Sequence, residues 1–201
     1  MGRRATGALV ATLCGFALSA CGGGDPGEFT GHVVDPPFAV PTAPLTDTSG
    51  HDFSLTADTD RRLTLVFFGY THCPDICGVV MQSLTSAMTR LSADDRDQVD
   101  VVYVTTDPAR DTEKVLRNYL DHLDPAFIGL TGDLKDIVAT GRPLGVGITQ
   151  GERLASGGYD VTHGTTITGV DGDDEAPVYW NEDTSSAEFA ADIHSLLAKG
   201  S

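Results

Sequence analysis

The chain has 201 residues, 40% of them hydrophobic, and a formal net charge of −16. That length suits one well-packed domain and is too short for two ordinary ones. So acidic a chain repels nucleic acid and anionic lipid; cationic partners or metal ions remain, as does acidity that simply keeps an exported protein soluble.

The chain opens with Arg3 and Arg4, followed by an apolar stretch from Gly7 to Ala20 that is too short to span a bilayer comfortably. It ends in Leu18-Ser19-Ala20-Cys21, which resembles the lipobox of bacterial lipoproteins. That resemblance makes residues 1–20 a lipoprotein signal peptide, discards Cys14 with it, and makes Cys21 the acylated first residue of a chain of net charge −18. A plain signal peptide cleaved near Ala20, or an uncleaved anchor, is the alternative. Residues 21–30 (CGGGDPGEFT) read as a flexible tether, and 31–201 as the domain. No other segment is apolar enough to cross a membrane, so the lipid is the expected anchor, and a multiply acylated cysteine holds stably. Of four cysteines only Cys73 and Cys77 then remain in the domain, as a disulfide, a redox couple or part of a metal site.

From Phe29 to Ala43 the prolines at 36, 37 and 41 predict extended or edge structure. Asp47-Thr48-Ser49-Gly50, between Leu45 and Phe53, predicts a small hairpin. Leu63, Leu65, Val66, Phe67 and Phe68 have the composition of a strand buried on both faces. After Gly69 and Tyr70 come Cys73, Pro74 and Cys77, and then helical spacing through Val80, Met81, Leu84, Met88 and Leu91. Both thiols fall at the helix's N-terminal end, where unpaired N–H groups and the helix dipole favour a thiolate, and Pro74 suits a first turn. Val99–Thr105 predicts a second buried strand. Asp111 is a candidate cap for a helix facing inward through Val115, Leu116, Tyr119 and Leu120, and Thr131 for one through Leu134, Ile137 and Val138 that ends at Gly141. Phe127–Leu130 is a short strand, and the glycine-rich 142–159 region reads as strand and loop. Thr165–Val170 and Val178–Trp180 flank the turn at Asp171–Asp174, and Ser185 with Glu188 forms a capping box ahead of a last helix. Strand–helix–strand–helix followed by a hairpin and a helix predicts an α/β domain of thioredoxin-like fold. Its central mixed β-sheet is flanked by helices and carries an N-terminal β-hairpin extension.

Cys73 and Cys77 have three residues between them, against two in a thioredoxin-type redox motif. At i and i+4 on one helical face, two thiolates can grip one ion, or close a disulfide with some backbone adjustment. Two sulfurs leave most metals short of ligands, and soft sulfur with imidazole suits Cu(I) or Zn(II). Among six histidines, His32, His51, His122 and His194 read as surface residues, and His72 as a turn residue pointing outward. His163 enters the strand that such a fold places opposite the cysteine loop, so it is the candidate third ligand. Met81, Met88 and Trp180 read as core, and Asp171–Glu175 as a solvated turn.

The segments Phe68–Cys77 (FGYTHCPDIC), Thr106–Thr112 (TDPARDT), Gly129–Gly132 (GLTG) and His163 occur together in an order that resembles the Sco/SenC family, copper-handling proteins of thioredoxin-like fold that assist cytochrome c oxidase assembly. The resemblance covers most of the chain after Phe29. It implies copper ligation by Cys73, Cys77 and His163, with Cu(I) in a near-trigonal set and Cu(II) also accepted. It gives Asp107 a supporting role near the cysteines. Two positions depart from the family habit: Gly78 stands where proline commonly follows the second cysteine, and Thr162 where Asp commonly precedes the histidine. The implied function is that of a copper chaperone rather than an enzyme, lipid-anchored on the extracytoplasmic face of the bacterial cell membrane. It would take copper from a donor protein and deliver it to the binuclear copper site of cytochrome c oxidase subunit II or to another exported copper protein. The alternative is a thiol–disulfide oxidoreductase that uses Cys73 and Cys77 as a redox-active pair to reduce the client's cysteines.

Overall fold

A computed structural model describes residues 2, 29–153 and 159–199. The expected signal peptide, Cys14, the acylated Cys21 and most of the tether lie outside the described residues. Among the described residues no helix is long and apolar enough to cross a membrane.

In chain order the elements are β1 (His32–Ala39), β2 (Leu45–Asp47), β3 (Asp52–Phe53), β4 (Leu63–Gly69), α1 (Ile76–Arg90), α2 (Ala93–Arg96), β5 (Val99–Thr105), α3 (Glu113–Asp121), β6 (Ile128–Thr131), α4 (Leu134–Gly141), β7 (Ile148–Arg153), β8 (Tyr159–His163), β9 (Ile167–Asp171), β10 (Glu175–Trp180) and α5 (Ser186–Lys199). The main sheet has the order β1-β10-β9-β4-β5-β6-β2-β3, and β7 and β8 form a separate hairpin. β4, β5 and β6 run parallel, while β9, β10, β1, β2 and β3 add antiparallel. This is the mixed sheet expected, with the β2–β3 hairpin extending one edge.

Every residue of β4 is buried, as its unbroken apolar run requires of a strand covered on both faces. Alternation divides its side chains between two cores. Leu63, Leu65 and Phe67 face α1, α3 and α5, whereas Val66 and Phe68 face Ile137 of α4 with Leu144 and Val146. β1 lies on the edge beside β10, and its ladder shifts register between Val33 and Phe38, where Pro36 and Pro37 have no N–H to donate. The start of β1 is tied down by Asp192 of α5, which accepts hydrogen bonds from Thr30 N–H (3.0 Å) and hydroxyl (2.8 Å), Gly31 N–H (2.9 Å) and Trp180 Nε1 (2.8 Å).

Several local expectations hold. The capping box forms, Ser185 N–H donating to Glu188 (2.8 Å) and Glu188 N–H to the Ser185 hydroxyl (3.3 Å). Met81, Met88 and Trp180 are core residues. Others need correction. α1 begins at Ile76 with Asp75 as its N-cap, so Cys73 and Pro74 precede the helix. Thr112, not Asp111, caps α3 by accepting from Val115 N–H, and Val115 faces solvent. Thr131 ends β6 rather than capping α4, whose N-cap is Asp133. In both cases the predicted cap is committed to tertiary contacts, since Thr131 donates its hydroxyl to the Asp111 carbonyl (3.3 Å).

Candidate functional site

The parallel strands β4 and β5 end side by side, Gly69 against Thr105, and the loops leaving them form one rim of the sheet. The β4 loop turns at once, with Cys73 N–H donating to the Tyr70 carbonyl (3.1 Å). Asp75 makes no side-chain cap for α1. Cys73 precedes the helix and is half-buried, while Cys77 lies in its first turn and is 1% exposed.

The helix-end expectation holds for one thiol and fails for the other. Burial pushes the Cys73 thiol up, but hydrogen bonds from the Cys77 side chain and from the helix's N–H groups outweigh it and hold it below the ordinary value. Burial, with the hydrogen bond to Cys73 and that residue's charge, raises Cys77 to about 12, against a lesser lowering by the Tyr70 N–H. The pair is thus an accessible thiolate-prone sulfur above a buried, protonated one.

His163 arrives from the opposite side of the rim. It ends β8, opposite Ile148 of β7, and Gly164 N–H donates to the Gly147 carbonyl (3.0 Å), so the hairpin's register fixes its position. Its Nε2 lies 3.7 Å from Cys77 Sγ. Its Nδ1 lies 2.9 Å from the Gly164 carbonyl and donates its proton there, which leaves the Nε2 lone pair facing the sulfur. Burial holds the imidazole below its ordinary value, against a smaller opposing effect of the Gly164 hydrogen bond. The ring stands edge-on to Tyr70 (6.0 Å) and Phe67 (6.4 Å). Two soft sulfurs and a neutral imidazole are a donor set suited to Cu(I). Among the described residues, however, no three His, Cys, Asp or Glu side chains are gathered into a set that could hold a metal ion. Of the three candidate ligands the structure brings Cys77 and His163 together.

Asp107 is buried and pairs with Arg110, whose guanidinium lies over the Tyr70 ring (5.8 Å to its centre). Tyr70 in turn stands against the His163 ring, so Asp107 and His163 are joined by a chain of contacts through Arg110 and Tyr70. Sequence reasoning missed Asp111 as a site residue. Its fully buried carboxylate accepts from Thr71 N–H (2.8 Å), Thr71 hydroxyl (2.6 Å) and Thr105 hydroxyl (2.8 Å), pinning the cysteine loop to β5. The separation of 40 positions between Thr71 and Asp111 hides that contact from any local pattern. His72 points outward as expected, with its Nδ1 3.6 Å from Asp111. The other histidines bond at the surface: His32 stacks on Tyr179 (4.8 Å), His51 lies near Asp47 (3.8 Å), His122 near the Asn118 carbonyl (2.6 Å) and His194 near Asp95 (2.9 Å).

The chain is similar to known proteins. A Stutzerimonas stutzeri protein named for copper binding is 35% identical over 136 residues, 67% of this chain and 66% of its own length. The mitochondrial SCO2 homologue of Danio rerio is 31% identical over 73% of this chain and 56% of its own length. The chain thus spans roughly half to two thirds of the curated relatives it matches. Among solved structures, Bradyrhizobium japonicum ScoI with copper bound superposes with a TM-score of 0.69 at 29% identity, covering 79% of this chain and 99% of that one. The fold is accordingly the thioredoxin-like one. The SCO1/SenC family profile matches residues 36–198, and the chain belongs to that family.

Proposed function

We propose that the protein is an extracytoplasmic copper chaperone that holds copper through Cys73, Cys77 and His163 and passes it to the binuclear copper site of cytochrome c oxidase subunit II. The observation that carries this reading is the 3.7 Å approach of His163 Nε2 to Cys77 Sγ, with Nδ1 committed to the Gly164 carbonyl. Copper in the related ScoI structure and in the name of the Stutzerimonas stutzeri relative supports it. Copper reaches the half-exposed Cys73 first. That sulfur brings the ion to Cys77, which releases its proton, and to the Nε2 lone pair. Delivery proceeds by ligand exchange, as the client's thiolates displace these donors one at a time. Nothing turns over, so the protein is a chaperone rather than an enzyme. The acylated Cys21 and the 21–30 tether keep the domain, residues 31–201, at the membrane.

Cargo is expected as Cu(I), since two thiolates and an imidazole make a soft set, with Cu(II) also accepted. The test is a titration of the reduced full chain with Cu(I) against a competing chelator, beside His163→Ala. One tightly bound copper in the parent, with orders of magnitude lost in the variant, upholds the site. Equal and weak binding by both removes His163 from it.

The asymmetry of the two thiols favours a second reading, reduction of the client's disulfide. Cys73 thiolate attacks one client sulfur, and the other leaves as a thiolate and takes up a proton. Cys77 then gives up its proton to solvent and displaces the client from Cys73. The client ends with two thiols and this chain with a Cys73–Cys77 disulfide. Reduction of a disulfide-bonded client peptide at equal rates by the parent and by His163→Ala, without copper binding, would select this reading.

A further inference from the structure

The hydrogen bond at Nδ1 fixes one corner of the His163 ring and leaves its tilt open. Two aromatic rings restrict that tilt. Phe67 stands 6.4 Å from the imidazole at an interplanar angle of 76°, and Tyr70 stands 6.0 Å from it at 85°. Phe67 is wholly buried in β4, so the core holds its ring. Tyr70 is different: it lies just past the strand and is only half-buried. Its ring needs a support of its own, and the loop between β5 and α3 provides one. The Arg110 guanidinium lies 5.8 Å from the centre of the Tyr70 ring. Arg110 is paired in turn with the buried carboxylate of Asp107. Asp107 is set by its own N–H, which donates to the Thr105 hydroxyl (3.0 Å), and its carbonyl accepts from Arg110 N–H (3.1 Å). A nearly buried ion pair adds little to stability, because desolvating both charges offsets their attraction. The position of this pair points to another use.

We propose that Arg110 and Tyr70 are positioning residues: Arg110, clamped by Asp107, holds the Tyr70 ring against His163 and keeps Nε2 aimed at the Cys77 sulfur. The inference deepens the reading of His163 as a ligand and rests on it. An imidazole already aimed loses less rotamer freedom on binding an ion than one that must first be ordered. The chemistry of each link sets what can replace it. Stacking on Tyr70 uses the planar guanidinium, so lysine keeps a charge for Asp107 but not the plane over the ring. The contact with His163 uses an aromatic ring, which phenylalanine retains and leucine does not.

The test compares the reduced full chain with Tyr70→Phe, Tyr70→Leu, Arg110→Lys and His163→Ala. Carbon-13 relaxation of the His163 ring C–H groups, without metal, gives the order parameter of the imidazole. Titration with Cu(I) against a competing chelator gives the affinity. Tyr70→Leu and Arg110→Lys should lower the order parameter and weaken Cu(I) binding about tenfold to a hundredfold. Tyr70→Phe should match the parent in both. An unchanged order parameter in Arg110→Lys overturns the proposal, and this variant decides the matter if Tyr70→Leu does not fold. A Tyr70→Phe ring as loose as that of Tyr70→Leu also overturns it, since the hydroxyl and not the ring would then be the support. So does a loosened ring with full Cu(I) affinity where His163→Ala has lost it. If His163→Ala binds Cu(I) as tightly as the parent, the ligand reading fails by itself. The order parameters then uphold Arg110 and Tyr70 as supports of the imidazole if they fall, and overturn them if they do not.

Discussion

Cys73 and Cys77 lie four positions apart at one helix end, yet the fold drives their acidities apart: Cys73 falls below the ordinary thiol value while Cys77 rises to about 12. The cause is position along one helix end. Cys73 sits ahead of the helix and half-buried, and Cys77 sits in its first turn, inside the core.

Alkylation should separate the two. At neutral pH, iodoacetamide should modify Cys73 well before Cys77, because reaction follows the thiolate and access. Mass spectrometry of peptides after timed quenching reads the order. Equal rates, or Cys77 first, would contradict the asymmetry.

Stability of the reduced protein should fall on the alkaline side. The folded state holds Cys77 above the ordinary value of 9.0, so as pH rises the unfolded chain gives up that proton first. The stability from neutral Cys77 is full below about 9 and is lost as pH climbs toward about 12. Tyr103 and Tyr119 are also raised and act in the same direction. The diagnostic is therefore the difference between the parent and Cys77→Ser, whose melting temperature should decline less steeply from pH 9 to 11. Parallel curves would argue against a buried, protonated Cys77.

Asp111→Asn keeps the shape of the side chain but turns one oxygen, an acceptor for Thr71 and Thr105, into a donor. Mispaired buried hydrogen bonds to a lost charge should cost about 2–4 kcal/mol in chemical denaturation. Faster amide exchange at Thr71 should show that the cysteine loop has been released. An unchanged midpoint and exchange rate would remove Asp111 as its anchor.

Two glycines flanking the dithiol should answer alanine in opposite ways. At Gly69 a Cβ meets the Tyr103 hydroxyl at 2.8 Å, so Gly69→Ala overpacks the core at a cost of about 1–3 kcal/mol. At Gly78, in the first turn of α1, a Cβ meets nothing within 4 Å. Gly78→Ala should therefore stabilise the reduced protein by about 0.5–1 kcal/mol. Urea midpoints of the two variants check both signs.

What the sequence by itself determined was local and periodic. Unbroken apolar runs marked the central strands, 3.6-residue spacing marked α1 and α5, Ser185 with Glu188 announced a cap, and the cysteine motif with its three companions pointed to the SCO1/SenC family. These signals survive because each arises from neighbours along the chain. What only the tertiary structure decided was which candidate polar groups are committed elsewhere. Asp111 and Thr131 look like helix caps in sequence, but the fold turns the Asp111 carboxylate to Thr71 and Thr105, and the Thr131 hydroxyl to the Asp111 carbonyl. Tyr103 reads as one more apolar strand residue until packing isolates its hydroxyl. The two thiols look equivalent until burial and helix N–H groups separate them, and His163 meets Cys77 across 86 residues only because a hairpin's register carries it there. Desolvation and long-range hydrogen bonds depend on what the rest of the chain brings to a point in space, and no spacing rule along the sequence records that.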